Sequence, residues 1–409
     1  MFDVNKIRKD FPILKGVTMQ NNPLIYLDSA ATTLKPQCVI DAVCDYLTLY
    51  SANAHRGDYD LSYQVDTKYE KTRQIIADFI DAPSDQNIVF TYGTTDGLNM
   101  VAQGFVEKNI GANDEILISV SEHASNILPW FDVADKTNAK IKYIDLDDQG
   151  RITLENVKKA ITKKTKYIAI AQMTNVLGNI APIKEICALA HQYDIKVIVD
   201  GAQSTPHMKV SMIDLDCDFF VFSGHKMCGP TGVGILYGKA ELLEIMVPTR
   251  HGGGSNARFY YDGRVNLKEA PAKFEAGTPN IEGVIGLGAA IQYLKEVGMD
   301  NIHAYEQELR KYAIEKLLQL DNIEIYNVHA AGPIAFNIKG VFSQDGASLF
   351  NKHGMAVRSG QHCAKILNEY LDVNHTLRMS LYLYNTKEEI DEFIRVCQKG
   401  DDFLDAFFG

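Results

Sequence analysis

The chain has 409 residues, 41 Lys and Arg against 52 Asp and Glu for a formal charge of −11, and 46% hydrophobic residues. This is a globular composition, rich enough in apolar residues for a substantial core and long enough for two or three domains. The acidic balance, without any long Lys/Arg run, argues against general nucleic-acid or anionic-membrane binding, which need a positive field.

The opening MFDVNKIRKDFPIL has no uninterrupted apolar stretch, and no window approaches the roughly 18 apolar residues of a membrane span, so a cytoplasmic chain is expected. Seven scattered cysteines (Cys38, Cys44, Cys187, Cys217, Cys228, Cys363, Cys397) form no CxxC pair, which reads as reduced thiols and no metal site. From about residue 85 to 240, β-branched runs alternate with helical patterns, the signature of a mostly parallel sheet flanked by helices. The predicted strands are IVFT (88–91), EILISV (115–120), IKYIDL (141–146), YIAIAQ (167–172), IKVIVD (195–200), DFFVFS (218–223) and VGILYG (233–238). Between them, helical spacing is clearest in APIKEICALAHQY, where Ile183, Ile186, Cys187 and Ala190 share a face. The glycine-rich 251–263 stretch and PNIEG read as loops. From about 284, long amphipathic helices lead to strands near 323–327 and 334–339 and a last helix, KEEIDEFIRVCQKG. Residues 22–283 are expected to form a large α/β domain with a seven-stranded sheet, and 1–21 with 284–409 a smaller α+β domain.

Several familiar signatures are missing. GHKMCGPTG has Pro230 where a P-loop needs lysine, no GxGxxG opens a helix, HGGG at 251–254 has no GxSxG elbow to serve, and there is no HExxH. The informative residues sit instead at the carboxyl ends of predicted strands, where open α/β sheets bind ligands. IVFT runs into Tyr92-Gly93-Thr94-Thr95-Asp96-Gly97 and a helix, EILISV into Ser121-Glu122-His123, IKVIVD ends at Asp200 before Gly201-Ala202-Gln203, and DFFVFS leads to Ser223-Gly224-His225-Lys226. Each alone reads as a cap, a structural histidine or a solvated lysine. Together, an anion cradle at a helix start, a flat ring, a carboxylate and a lysine match what pyridoxal 5'-phosphate requires.

The sequence resembles the class V aminotransferase group of fold-type-I PLP-dependent transferases, and within it the SufS/CsdA type of cysteine desulfurase. The motifs run nearly end to end: LDSAATT (27–33), AHRGDY (54–59), GTTDG (93–97), SEHASNILPW (121–130), NVLG (175–178), DGAQ (200–203), SGHKMCGPTGVGILYG (223–238), FEAGTPN (274–280), RSGQHCA (358–364) and RMSLYLYNT (378–386).

The resemblance implies that Lys226 is the Schiff-base lysine, Asp200 the partner of the pyridine nitrogen, His123 the ring that stacks on the cofactor and Gln203 a hydrogen-bond partner of its phenolic oxygen. Thr94, Thr95, Ser223 and His225 would hold the phosphate, with Thr278 reaching in from a second subunit of a homodimer. Asn175 and Arg378 would bind the substrate carboxylate, with Arg358, Ala30 and His55 (beside Arg56) completing the substrate mouth. Cys363 would carry sulfur as a persulfide, activated by positive character from Arg358 and His362. The family usually shows two histidines before this cysteine; here Gln361 stands in place of the first. The implied reaction turns L-cysteine into L-alanine and supplies sulfur for iron–sulfur cluster assembly through a SufE or SufU type acceptor. Selenocysteine lyase with L-selenocysteine as substrate, cysteine-sulfinate desulfinase, a transaminase, and a non-enzymatic sulfur-relay partner remain open.

Overall fold

The computed structural model describes residues 2–19, 21–54 and 57–399. The expected substrate-mouth residues His55 and Arg56 lie outside them.

All seven strands expected between 85 and 240 form, and they make one sheet. They are β1 (Ile88–Thr91), β2 (Glu115–Ser119), β3 (Lys140–Ile144), β4 (Thr165–Ala171), β5 (Lys196–Asp200), β6 (Phe219–Ser223) and β7 (Gly234–Gly238), in the order β1-β7-β6-β5-β4-β2-β3. β7 alone runs against its neighbours, pairing antiparallel with both β1 and β6. The central strands are apolar at nearly every position because both faces are covered. Alternation decides which face each residue fills. Phe220 and Phe222 join a core with the helix Ile281–Val297, whereas Phe219 and Val221 join Leu98 and Trp130 on the other side. β3, at the open edge, exposes Lys140, which discourages further strand addition.

Because β1, β2, β4, β5 and β6 point the same way, the segments following them meet along one edge of the sheet. This topology brings together the strand ends singled out from sequence.

A second, antiparallel sheet contains β8 (Ile323–Ile325), β9 (Ile334–Ile338), β10 (Arg358–Gly360) and β11 (Thr376–Met379) in the order β8-β9-β11-β10. β10 and β11 are too short for a sequence pattern to mark, yet their register sets Arg358 opposite Arg378. The short strand Ile25–Tyr26 pairs with Met355–Ala356, tying the start of the chain to this smaller unit. Within 251–263, expected to be loop, Asn256–Phe259 pairs with the following Val265–Leu267 as an antiparallel hairpin. Its backbone bonds form despite the weak alternation of its exposed residues.

The helix Ile281–Val297 buries Val284, Leu287, Ile291 and Leu294 in the core of the large sheet. The following helix, Met299–Leu317, turns Leu309, Ala313 and Leu317 toward Phe336 and Phe393 of the smaller core. We therefore propose that the division between units falls within Met299–Leu317 rather than at 283/284. Among the described residues no helix is long and apolar enough to cross a membrane.

Ile291 is fully buried, so Ile291→Ala should lower unfolding stability by about 2–5 kcal/mol through lost burial and a residual cavity. Denaturant titration followed by the fluorescence of Trp130, the one tryptophan, checks this; an unchanged midpoint would remove the helix from the large core.

Candidate active site

A cavity of about 190 Å³ opens at the carboxyl edge of the large sheet, beneath β10 and β11. Thr94, Thr95, His123, Asp200, Gln203, Ser223, His225 and Lys226 line it from the large sheet, and Ala30, Asn175, Arg358 and Arg378 close it.

The anion cradle starts at Gly93, whose φ of +144° favours glycine and lets the helix Thr94–Val101 begin directly after β1. A Cβ at Gly93 would stand 3.3 Å from Ser223 Oγ. The Thr94 N–H donates to Ser223 Oγ at 2.8 Å, and the two hydroxyls are 2.7 Å apart. Thr95 Oγ1 and Ser125 Oγ are also 2.7 Å apart. Free N–H groups and hydroxyls at a helix N-terminus suit a phosphate. His225 adds a ring that burial, with the charges of Lys226 and Lys35, pushes down to about 4, so it is neutral at pH 7.

His123 accepts the Ser125 N–H at Nδ1 (3.1 Å), which leaves the ring proton on Nε2. Burial, helped by Lys226, Arg378 and Arg358, pushes this ring down to about 4. It is a flat, uncharged surface. Asp200, at the end of β5, is 5% exposed and accepts the Ala202 N–H at 2.9 Å. Burial raises its pKa while Lys226 and that N–H oppose the rise. Lys226 follows β6 in the turn Gly224–Lys226. Burial lowers its pKa to about 8, with Arg378 and Arg358 adding to the shift and Asp200 and Cys363 opposing it. A substantial neutral-amine fraction at physiological pH follows. Gln203 Nε2 donates to the Ala30 carbonyl at 2.8 Å, fixing the wall between them.

Arg378, 2% exposed, donates from Nη1 to the Asn175 carbonyl and from Nη2 to Asp28 Oδ1, both at 3.0 Å. Asn175 Nδ2 donates to the His362 carbonyl at 2.8 Å. Arg378 Nε and Asn175 Oδ1 are buried without a partner among the described residues. An orphaned donor and an orphaned acceptor on the wall of one cavity leave capacity for the polar groups of a small ligand.

Cys363 is exposed, beside this cavity rather than on its lining. Its carbonyl accepts the Ala124 N–H at 2.7 Å, tying the loop to the residue after His123. The loop turns through Gly360 (φ +116°), His362 (φ +50°) and Cys363 (φ +57°), two of them in a conformation costly for side-chain-bearing residues. The expected positive character of His362 is not found. Its Nε2 lies 3.0 Å from both Thr376 O and Thr376 Oγ1, and burial pushes it down to about 3, so it is neutral. Arg378 and Lys226 lie within electrostatic reach of Cys363.

Thr278 is exposed outside this cavity, where Asn53 Nδ2 donates to its hydroxyl at 3.4 Å. Sequence reasoning overlooked Asp28, which orients Arg378, although the residue stands in the LDSAATT motif. It also overlooked Ser125 and Glu122, both inside SEHASN. Glu122 is fully buried, accepts the Ala171 N–H at 3.1 Å and the Asn126 side chain at 2.7 Å, and is pushed up to about 8 by burial. The apolar run before it was the available signal.

The chain matches the Aminotransferase class-V family over residues 25–393. It belongs to that family. It is 46% identical to a probable cysteine desulfurase of Halalkalibacterium halodurans over 99% of this chain and 100% of the relative. It is 43% identical to a probable cysteine desulfurase of Synechocystis over 96% and 94% of the two chains. Among solved structures, the S-sulfonic acid form of the cysteine desulfurase CsdA from Escherichia coli superposes with a TM-score of 0.91 at 36% identity, covering 99% of both chains. The apo cysteine desulfurase of Thermococcus onnurineus gives 0.91 at 38% identity and 97% coverage of each. The class V fold expected from the motifs is therefore this chain's fold.

A lysine whose pKa is lowered costs stability where it is forced to carry its proton. Lys226→Met should accordingly stabilise the cofactor-free protein most below pH 8, with the gain shrinking as pH rises from 8 toward the ordinary lysine value of 10.5. Denaturation of both proteins across that range measures it; a gain that grows with pH would contradict the burial argument.

Proposed function

We propose that the chain is a PLP-dependent cysteine desulfurase, converting L-cysteine to L-alanine and carrying the released sulfur on Cys363 as a persulfide. The observation that carries this is the convergence of Lys226, Asp200, His123 and the hydroxyl cradle on one cavity, with the exposed thiol of Cys363 tethered beside it.

The donor set fits the cofactor. Lys226 offers an amine of depressed basicity, Asp200 a buried carboxylate for the ring nitrogen, His123 a neutral ring, and Thr94, Thr95, Ser223 and His225 the phosphate site. Gln203 keeps one amide N–H beyond its bond to Ala30. Bound there, pyridoxal phosphate supplies an electron sink for the pair left at the substrate Cα. The fork of Arg378, held by Asp28 and the Asn175 carbonyl, presents Nε to the substrate carboxylate, and Asn175 Oδ1 accepts from the substrate. Lys226 Nζ takes the proton from Cα and returns protons to the carbon skeleton. Cys363 Sγ, as thiolate, attacks the substrate sulfur. A new S–S bond forms, the substrate Cβ–S bond breaks, and the electron pair retained by Cβ takes up a proton as alanine forms. Cysteine plus the Cys363 thiol thus gives alanine plus the Cys363 persulfide, with no external oxidant or reductant.

An exposed persulfide needs somewhere to go. A sulfur-acceptor protein of the SufE or SufU type, feeding iron–sulfur cluster assembly in the cytoplasm, fits the short RSGQHCA loop. The exposure of Thr278 away from its own cavity fits a homodimer in which it reaches the partner's site.

Purified protein should show visible absorption that borohydride removes, and should release alanine from L-cysteine in the presence of an acceptor. Cys363→Ser should lose that release while retaining activity on L-selenocysteine, whose selenium leaves more readily. Unchanged alanine release from L-cysteine by the variant would end the persulfide step, and a parent active only on selenocysteine would replace this reading by the lyase. Arg378→Lys should raise KM for L-cysteine by about tenfold or more, since a lysine cannot reproduce the fork; an unchanged KM would move the carboxylate site elsewhere.

A further inference from the structure

Lys35 lies between the LDSAATT motif and the helix Gln37–Leu49, outside the machinery described above. Its Nζ is 2.5 Å from Thr33 O, 3.0 Å from His225 O and 3.4 Å from Thr32 Oγ1. An ammonium has three N–H donors, and here it meets three acceptors. Among the described residues no carboxylate pairs with it. A desolvated ammonium without a counterion is costly, and Met would fill the same volume without that cost. Burial accordingly pushes Lys35 down to about 8.

The acceptor that Lys35 serves explains the arrangement. The His225 carbonyl also receives the Thr33 N–H at 3.0 Å, Thr32 Oγ1 at 2.9 Å and Thr33 Oγ1 at 3.1 Å. Four donors from one short segment surround a single oxygen. That oxygen belongs to the peptide unit joining His225 to Lys226, so its direction sets where the Lys226 side chain departs. Thr33 Oγ1 also accepts the Cys228 N–H at 2.7 Å, which holds the far side of the same turn. A carbonyl gripped this way cannot rotate without breaking several bonds at once.

We propose that Lys35 is a positioning residue for Lys226: its ammonium clamps the His225 carbonyl and thereby fixes the peptide plane from which the catalytic amine enters the cavity. The clamp is a property of the fold, whereas its catalytic consequence rests on the desulfurase reading.

The test compares the holoenzyme with Lys35→Met, which keeps the volume and loses the donors, and Lys35→Arg, which keeps donors and charge. Two readouts are followed. Lys35→Met should lower kcat for alanine release by about tenfold or more, the effect of removing a charge-assisted hydrogen bond, with KM for L-cysteine changed by no more than about twofold. Amide hydrogen exchange across residues 224–229 should accelerate in the same variant, and Lys35→Arg should restore both readouts most of the way. Thr32→Val removes one hydroxyl from the same carbonyl and should move both readouts the same way by less, which covers the case in which Lys35→Met fails to fold. An unchanged kcat, or a reduced kcat with unchanged exchange in this turn, overturns the proposal. A parent protein that releases no alanine defeats the desulfurase reading, and exchange then judges the clamp by itself.

Discussion

Burial of Lys226 beside other positive charge is the constraint on which the site depends. Burial lowers the proton affinity of Lys226, and Arg378 and Arg358, set opposite each other on adjacent strands of the smaller sheet, lower it further. Two consequences follow from one arrangement. A fraction of the amine is neutral near physiological pH, and the cavity gains positive character, which the proposed function uses for a phosphate and a carboxylate. Asp200 and Asp28 keep that crowd tolerable: the first faces Lys226, and the second pairs with Arg378. Removing either carboxylate would leave a buried cation without compensation, which costs more than the ion pair itself contributes.

The two units divide the labour. The large sheet supplies rigidity: parallel strands buried on both faces end at a common edge, so Asp200, His123 and Lys226 are placed by strands rather than by free loops. On the proposed reading the smaller sheet supplies the substrate end, with Arg378 reaching across to the Asn175 carbonyl and Cys363 tied to Ala124. Chemistry that transfers a sulfur atom from a bound substrate to a protein thiol needs both, and the backbone bond between Cys363 and Ala124 joins them next to the His123 ring.

Much of this was legible in the sequence. β-Branched and apolar runs marked all seven strands of the large sheet, most plainly in inner strands such as DFFVFS, because a strand buried on both faces has few polar positions. The residues at strand ends were legible only as a set: a lysine, an aspartate and a histidine each have an ordinary structural reading there, but together with the hydroxyl cradle they match one cofactor. What was not legible has a common physical cause. β10 and β11 are three and four residues long, too short for a period to register, and they exist because they pair with longer neighbours. The helix Ile281–Val297 looked like the start of the smaller unit, and only packing assigns it to the large core. His362 read as a cation from its type alone; burial against Thr376, which spacing does not reveal, makes it neutral. Asp28 and Glu122 act through partners far along the chain, Arg378 and Ala171, so neither role is visible locally.

The central claim is that sulfur leaves the substrate by attack of Cys363. Its most direct test is a single turnover of the holoenzyme with one equivalent of L-cysteine and no acceptor, followed by mass analysis of the peptide bearing Cys363. The account predicts one added sulfur atom on Cys363 in step with alanine formed. Alanine formed while that peptide stays unmodified, with sulfur released as free sulfide or found on another residue, would contradict it.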